Sequence, residues 1–551
     1  MTRSTMTRRA MVLIAACIAS SAGAQDAPPS GWARAHDASS VTNGTRVGWL
    51  GAWSPLRPIA DIARGEVRAP FGPGLLDAPS PMMGAFIVAG APGAIVRDLT
   101  PRLRGDTARF GEVRVQRAGE SGSFHRPLDV VQGTATQVAG MGWSPVGARG
   151  IAMGRFVVDQ ESEDTSSFTQ RISPAWSSPF IATDSVRPPM TRTRARVEGA
   201  LGLRLGAYGL GLSAAVDSRE HNSGAFPLRR TGRWATPAVM AGVERTLPWF
   251  NARIGTYARW SEASETNVLN PSPLNTVIYA MKGYDEPPGI PVVNATLFVR
   301  NDRRATALGG TFAFEVASTH VVVVHEQGDR ADDQYRLITA RVRPTDSWRT
   351  TARESRIQVA RLFGESVRAM LVAYDVSLDG RGTRDDLAGL AVDGSDGQQA
   401  VEADVRYTRG AWRVGALGGL TRRTHDRRDF VAELSATIEQ STPFVSAEVA
   451  RTLGGTWLGA GVSSAWTSPT AALPPAARGV NYQRLIAPEL AYDAAEATAM
   501  AYWVNVRRAV RGHDVFAQLR LEQASPTTVA VARLQPGGER SRWQVSVGYR
   551  P

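Results

Sequence analysis

Seven histidines and one cysteine in 551 residues leave little nucleophilic or acid–base chemistry to place. The densest cluster is the run RRTHDRRD, which holds His425, Asp426 and Asp429. A histidine beside carboxylates suits general-base work or metal ligation, but among four arginines this run reads as a solvated, charged turn. His320 and His325 bracket the apolar stretch Val321–Val324. A spacing of five puts them on opposite faces of a strand, where they cannot converge on one metal. Asp332-Asp333 and Asp385-Asp386 sit beside arginines and read as loop charge. The chain has no His-Glu-x-x-His, no Gly-x-Ser-x-Gly and no phosphate-binding loop. No catalytic residue, no cofactor and no metal site is assigned.

The charges that do form a pattern alternate with apolar residues. Arg196, Glu198 and Arg204 share one parity, with Val197, Leu201, Leu203 and Leu205 on the other. Glu402, Asp404 and Arg406 oppose Val401, Ala403, Val405 and Tyr407, and Arg520 and Glu522 oppose Leu519 and Leu521. A period of two is that of a β-strand. The same grammar predicts strands at 110–118, 134–143, 149–159, 208–217, 236–245, 249–260, 304–316, 320–327, 334–343, 355–362 and 367–377. It continues at 411–421, 430–439, 443–451, 457–466, 497–507 and over the terminal Arg542–Tyr549. In the stretch 430–439, Leu434, Ala436 and Ile438 form the apolar parity.

Two architectures take many such strands. A sandwich hides the apolar faces between two sheets. A membrane barrel turns them to lipid, faces the polar parity inward, and closes so that no backbone edge is left unpaired. Strand lengths of roughly ten residues match a tilted membrane crossing better than the five or six usual in sandwiches. Trp249, Tyr257, Trp260, Trp412, Trp457, Trp466, Trp503 and Trp543 stand near strand ends, where an interfacial belt would hold them. Tight turns at Gly206 and at Leu247-Pro248 contrast with polar stretches at 218–234, 262–292 and 378–399, read as long loops. The expected fold is all-β, a transmembrane antiparallel β-barrel of about 16–20 strands, with 18 the best count. The expected lumen-lining residues are Arg196, Glu198, Arg204, Glu402, Asp404, Arg406, Arg520 and Glu522.

The N-terminus fits an exported barrel. Arg8 and Arg9, an apolar run and Ala22-Gly23-Ala24 form a signal peptide over 1–24. Cys17 lies inside it, in a setting that also resembles a lipoprotein acylation site, so acylation stays open. Residues 25–108 are read as a periplasmic extension or a small lumenal, plug-like segment, and 109–551 as the barrel. The formal charge of +12 is carried by arginine, Lys282 being the single lysine. Export argues against nucleic acid as the partner. Outer-membrane lipid and the assembly machinery that reads a terminal strand are the expected partners. The oligomeric state is not specified by any motif.

Several segments carry a resemblance to a known family. The stretch FGEVRVQRAGESGSFHRPLD, the run SPFIATDSV and the run AFPLRRTGRWATPAVMAGV, with the family's marks at 176–184 and 226–243, resemble a family of uncharacterised bacterial outer-membrane β-barrel proteins. The resemblance spans about 105–551 and implies fold and location without implying an activity. The leading function is a channel or uptake component for small polar or anionic solutes. A structural or adhesive barrel displaying its loops is the alternative, with an outer-membrane hydrolase third.

Overall fold

A computed structural model describes most of residues 110–550. Residues 1–109, Pro551, and the segments 124–131, 164–179, 184–188, 224–229, 271–276, 283–288, 292–296, 475–482 and 528–537 fall outside the description, as do a few isolated positions between strands. The proposed signal peptide, Cys17 and the 25–108 segment therefore lie outside the described residues.

Eighteen antiparallel strands form one sheet. The first three are β1 (Phe110–Gly122), β2 (Gln132–Val146) and β3 (Gly150–Glu163). After the short β4 (Phe180–Thr183) come β5 (Met190–Leu205), β6 (Tyr208–Ser223), β7 (Arg230–Thr246) and β8 (Arg253–Leu269). Two more short strands, β9 (Val277–Lys282) and β10 (Gly289–Pro291), complete a separate three-stranded sheet in which β9 pairs with both β4 and β10. The longest strands follow: β11 (Leu297–Val316), β12 (Thr319–Ile338), β13 (Arg341–Phe363) and β14 (Val367–Arg384). They continue with β15 (Leu390–Arg409), β16 (Trp412–Asp429), β17 (Leu434–Leu453) and β18 (Thr456–Ala472). A seven-residue helix, α1 (Ala487–Asp493), precedes β19 (Ala497–Val510), β20 (His513–Pro526) and β21 (Arg540–Arg550).

The barrel closes where the terminal strand meets the first. β21 pairs antiparallel with β1, setting Trp543 opposite Gly119, Val547 opposite Val115 and Tyr549 opposite Val113. Closure satisfies the backbone of both end strands, which no open sheet in lipid could do. Trp543, Val545, Val547 and Tyr549 are exposed, whereas Gln544 and Ser546 between them are almost completely buried. A strand with such unlike faces is what a wall between lipid and interior needs.

The exterior is aliphatic over a limited height. On β6, Tyr208, Leu210, Leu212 and Val216 face outward, and this run rises about 20 Å at the usual strand rise and a tilt of ~40°. Tyr208, Trp249, Tyr407, Trp412 and Tyr549 stand exposed at the short-turn end, with Trp260, Trp466 and Trp543 exposed further up. Gly206 and Gly410, with φ of 63° and 56°, make the tight turns there, in a backbone region that a side chain disfavours. An aliphatic belt bounded by aromatic side chains on a closed sheet is the surface of a transmembrane barrel.

The structure corrects several sequence readings. The segment 334–343 is not a strand, because it straddles the turn between β12 and β13. The stretches 434–439 and 443–451 belong to the single strand β17, and 430–433 form the turn that precedes it. Much of the three presumed long loops is strand, since β6 runs to Ser223, β8 to Leu269 and β14 to Arg384. RRTHDRRD is the upper end of β16 and not a turn, and Asp332-Asp333 lies within β12. Three of the belt aromatics, Tyr257, Trp457 and Trp503, are buried. Their parity places them inside, so they pack the interior and anchor nothing at the interface.

The facing of β17 is also corrected. Leu434, Ala436 and Ile438 are buried on the inner parity, where Ile486, Ala487 and Leu490 of the α1 region pack on them. Val445 and Val449, on the outer parity lower in the same strand, are the residues facing outward. Tyr492 and Ala495 continue the contact down to Phe444, Ala465, Ala499 and Ala524. The described part of the β18–β19 connection from Ile486 to Ala495 is thus folded against the inner wall. Pro488 at the start of the helix lacks an N–H that would have no partner there anyway.

Candidate functional site

The interior is built from charged residues spaced two apart on the inner parity. Side chains at i and i+2 of a strand stand side by side on one face, so opposite charges at that spacing can pair without help from another element. Arg520 donates from Nε to Glu522 at 2.5 Å, and Arg406 donates to Asp404 at 3.0 Å. Arg219 donates to Asp217 at 3.1 Å. Arg330 does the same with Asp332, at 2.7 Å.

Neighbouring strands extend several of these pairs into networks. Asp217 also accepts from Arg194 at 2.7 Å, with the Arg196 guanidinium 3.8 Å away. Arg303 reaches Asp332 at 2.5 Å from β11. Arg259 pairs with Glu326, Arg507 with Asp514, and Arg540 with Glu120. Arg520 lies over the Trp503 ring at 5.4 Å, while the Trp503 indole N–H donates to Glu448 at 3.3 Å. Buried charge is costly unless it is paired and hydrogen-bonded. These networks supply the pairing locally, strand by strand.

Arg196, Glu402, Arg520 and Glu522 are buried on the inner parity, and Asp404 and Arg406 are partly buried there. Glu198 and Arg204 occupy the same parity of β5 by register, opposite Ala215 and Gly209 of β6. The eight do not converge on one place. Arg196 belongs to the β5–β6 network around Asp217. The Glu402–Arg406 set lies on β15, and the Arg520–Glu522 pair on β20.

A further cluster, expected as a solvated turn, lies on the inner face of β16. His425 points to the inner side of β16, and its Nδ1 lies 2.5 Å from Asp396 Oδ1 on β15. Arg427 donates to the same carboxylate at 2.9 Å. Asp426 faces the other way and pairs with Arg428, while Asp429 accepts the Val431 and Ala432 N–H groups at the head of the turn. Gln440 donates to the Asp493 carbonyl at the end of α1, tying the in-folded connection to the wall. The signal that could have found Asp217, Asp332 and their arginines is the same i, i+2 opposite-charge spacing already visible in Asp404–Arg406.

Among the buried residues described, eleven arginines stand against twelve carboxylates. The interior charge is therefore near balance, and the positive excess of the whole chain is not concentrated there. Among the described residues, no group of three or more His, Cys, Asp or Glu could hold a metal ion.

The closed 18-strand sheet with its aliphatic belt defines the class: a transmembrane β-barrel of the outer-membrane type. No family model and no curated protein matches the chain. Among solved structures it is similar to BauA, the ferric preacinetobactin receptor from Acinetobacter baumannii, at 8% identity over 81% of this chain and 80% of that one, with a TM-score of 0.35. The FrpB iron transporter from Neisseria meningitidis aligns at 10% identity over 82% of each chain, TM-score 0.36. The copper transporter OprC aligns at 9% identity over 79% and 80%, TM-score 0.36.

Proposed function

We propose that the protein is an outer-membrane passage or uptake barrel for small polar solutes. The observation that carries this reading is the inner wall of paired arginines and carboxylates, from Asp217 with its arginines to Arg520 with Glu522. Such a wall is polar along its height, and Asp404 and Arg406, part-exposed on it, would offer a polar solute replacement partners for its hydration. Arg196, Glu198, Arg204, Glu402, Asp404, Arg406, Arg520 and Glu522 would line that path. Near balance of buried charge argues for weak ionic preference, since a strong one needs a net field of one sign. The membrane lipid and the assembly machinery acting on β21 are the partners this reading needs.

Purified protein in a planar bilayer tests it. Conductance is expected, with a reversal potential in a salt gradient close to zero and only slightly on the anion side. Changing Arg196, Arg406 and Arg520 together to Glu should shift the reversal potential towards cations. Folded protein without conductance would defeat the open-passage reading and favour a barrel whose role lies in its outer surface.

A further inference from the structure

The outer face changes character abruptly on one side of the barrel. On β11, Leu308 faces outward with 68% exposure, and two positions on Thr306 and then Arg304 take over. On β13 the outward Ile357 gives way to Arg353 and Arg349, and on β16 Leu420 gives way to Arg422 and Arg428. These outward arginines lie above the aliphatic belt, on the end away from the short turns. Between β11 and β16 lies a groove of about 910 Å³, lined by Arg304, Arg349, Arg353, Arg381 and Arg428 together with aspartates such as Asp379 and Asp393.

Their partners are exposed and easily exchanged. Arg304 meets Glu262 at 3.3 Å, Arg349 meets Asp333 at 2.7 Å and Arg428 meets Asp426 at 3.4 Å, with more than half of each arginine side chain in solvent. Ion pairs in such settings contribute little and give way to a better anion. Guanidinium is the side chain best matched to phosphate, because its fork donates two parallel hydrogen bonds.

We propose that this groove binds the phosphorylated headgroup of an outer-leaflet glycolipid whose acyl chains lie on the belt beneath it. The position carries the assignment. A phosphate placed here is at headgroup height above Leu308, Ile357, Val401 and Leu420, so one molecule would satisfy both the aliphatic band and the arginines. The interspersed aspartates suit divalent ions, which phosphorylated lipids bring with them. Among the described residues no carboxylate cluster would hold such an ion alone, so it would be shared with the lipid phosphates. The proposal rests on the facing of the barrel and not on passage through it.

The test uses full-length protein folded in detergent, with heat-modifiable migration as the check on folding. Bisphosphorylated lipid A in mixed micelles with magnesium is the probe, and its monophosphoryl form and inorganic phosphate are the comparison ligands. Binding of the bisphosphorylated form is expected at least tenfold tighter than that of the monophosphoryl form. Changing Arg349, Arg353 and Arg381 together to Glu should weaken it at least tenfold, while Arg508→Glu at the turn end of β19 should change it less than twofold. If the triple change prevents folding, Arg353→Gln with Arg381→Gln should still weaken binding severalfold. A folded variant that binds the lipid as tightly as the parent overturns the proposal. So does complete displacement of the lipid by millimolar inorganic phosphate, because free phosphate would then be the ligand.

Discussion

The strands from β11 to β18 and the strands that close the barrel, β19–β21 with β1–β3, obey different rules. The first group runs to 17–23 residues per strand and the second to 11–15. A 23-residue strand such as β13 rises about 55 Å at a tilt of ~40°, far more than the belt requires. Within the belt both groups show aliphatic residues outside and polar residues inside. Above the belt the tall wall has water on its outer face, so charge stands on both faces, as in Asp332 inside and Asp333 outside on β12. Where α1 covers the wall from within, the pattern inverts, with Leu434 and Ile438 inside and Ser435 and Thr437 outside. Facing is thus a property of height as well as parity. A residue type that is required at one level of a strand is neutral or unfavourable a few residues further on.

The strongest way to break this contrast is at the seam of the low wall. Changing Trp543, Val545, Val547 and Tyr549 together to Asp should abolish insertion, since charged residues on the lipid face cost on the order of 2–4 kcal/mol each for Arg or Lys near the midplane and somewhat less for acids. The same change at Gln544 and Ser546 should leave heat-modifiable protein in the membrane fraction. Gly548 is left out of that pair because the Phe516 ring lies against it, and a Cβ there would sit about 2.0 Å from the ring edge. Equal loss from both sets would show that the two faces of β21 are not distinguished by lipid.

Undocking α1 is the next largest effect. Leu490 is buried against Leu434, Ala436 and Ile438. Leu490→Ala is expected to weaken the docking of this connection by about 2–5 kcal/mol, the usual range for a buried leucine. The barrel itself should remain folded. Faster hydrogen exchange confined to 486–496 would be the readout, and unchanged exchange there would mean the helix is not held by its apolar face.

A single strand offers a sharper version of the comparison. Val401→Asp places a charge in the belt of β15 and should lower the temperature at which the folded band disappears, by an amount reflecting about 2 kcal/mol. Ser395→Asp, on the same outward face of the same strand but above the belt, should stay within about 0.5 kcal/mol of the parent. Similar losses at both positions would place the membrane boundary higher than the aliphatic belt indicates.

The smallest effect belongs to the outer ion pairs. Arg349→Ala removes the contact with Asp333, and an exposed pair of this kind contributes about 0–1 kcal/mol. A larger loss of stability would mean that the tall wall depends on its outer charges for more than solubility.

Residue types alone dictate the grammar of the belt. Lipid outside and polar interior inside impose a strict period of two, so Val197–Leu205, Val401–Tyr407, Leu519–Glu522 and Trp543–Tyr549 could be placed and faced from residue types alone. Within that band the inner pairs at i, i+2 were also legible, as Asp404–Arg406 shows. Above the lipid the physical reason for alternation disappears. The upper ends of β6, β8 and β14 then read as polar loops, and RRTHDRRD at the top of β16 reads as a turn. Only the tertiary structure could decide those segments, because their strand state depends on pairing with a neighbour that is already in the sheet. It also decided the facing of Leu434, Ala436 and Ile438, which have the right spacing for a lipid face but meet a helix about fifty residues further on. Period reveals that two faces differ, and the partner on each face is settled only when the chain closes.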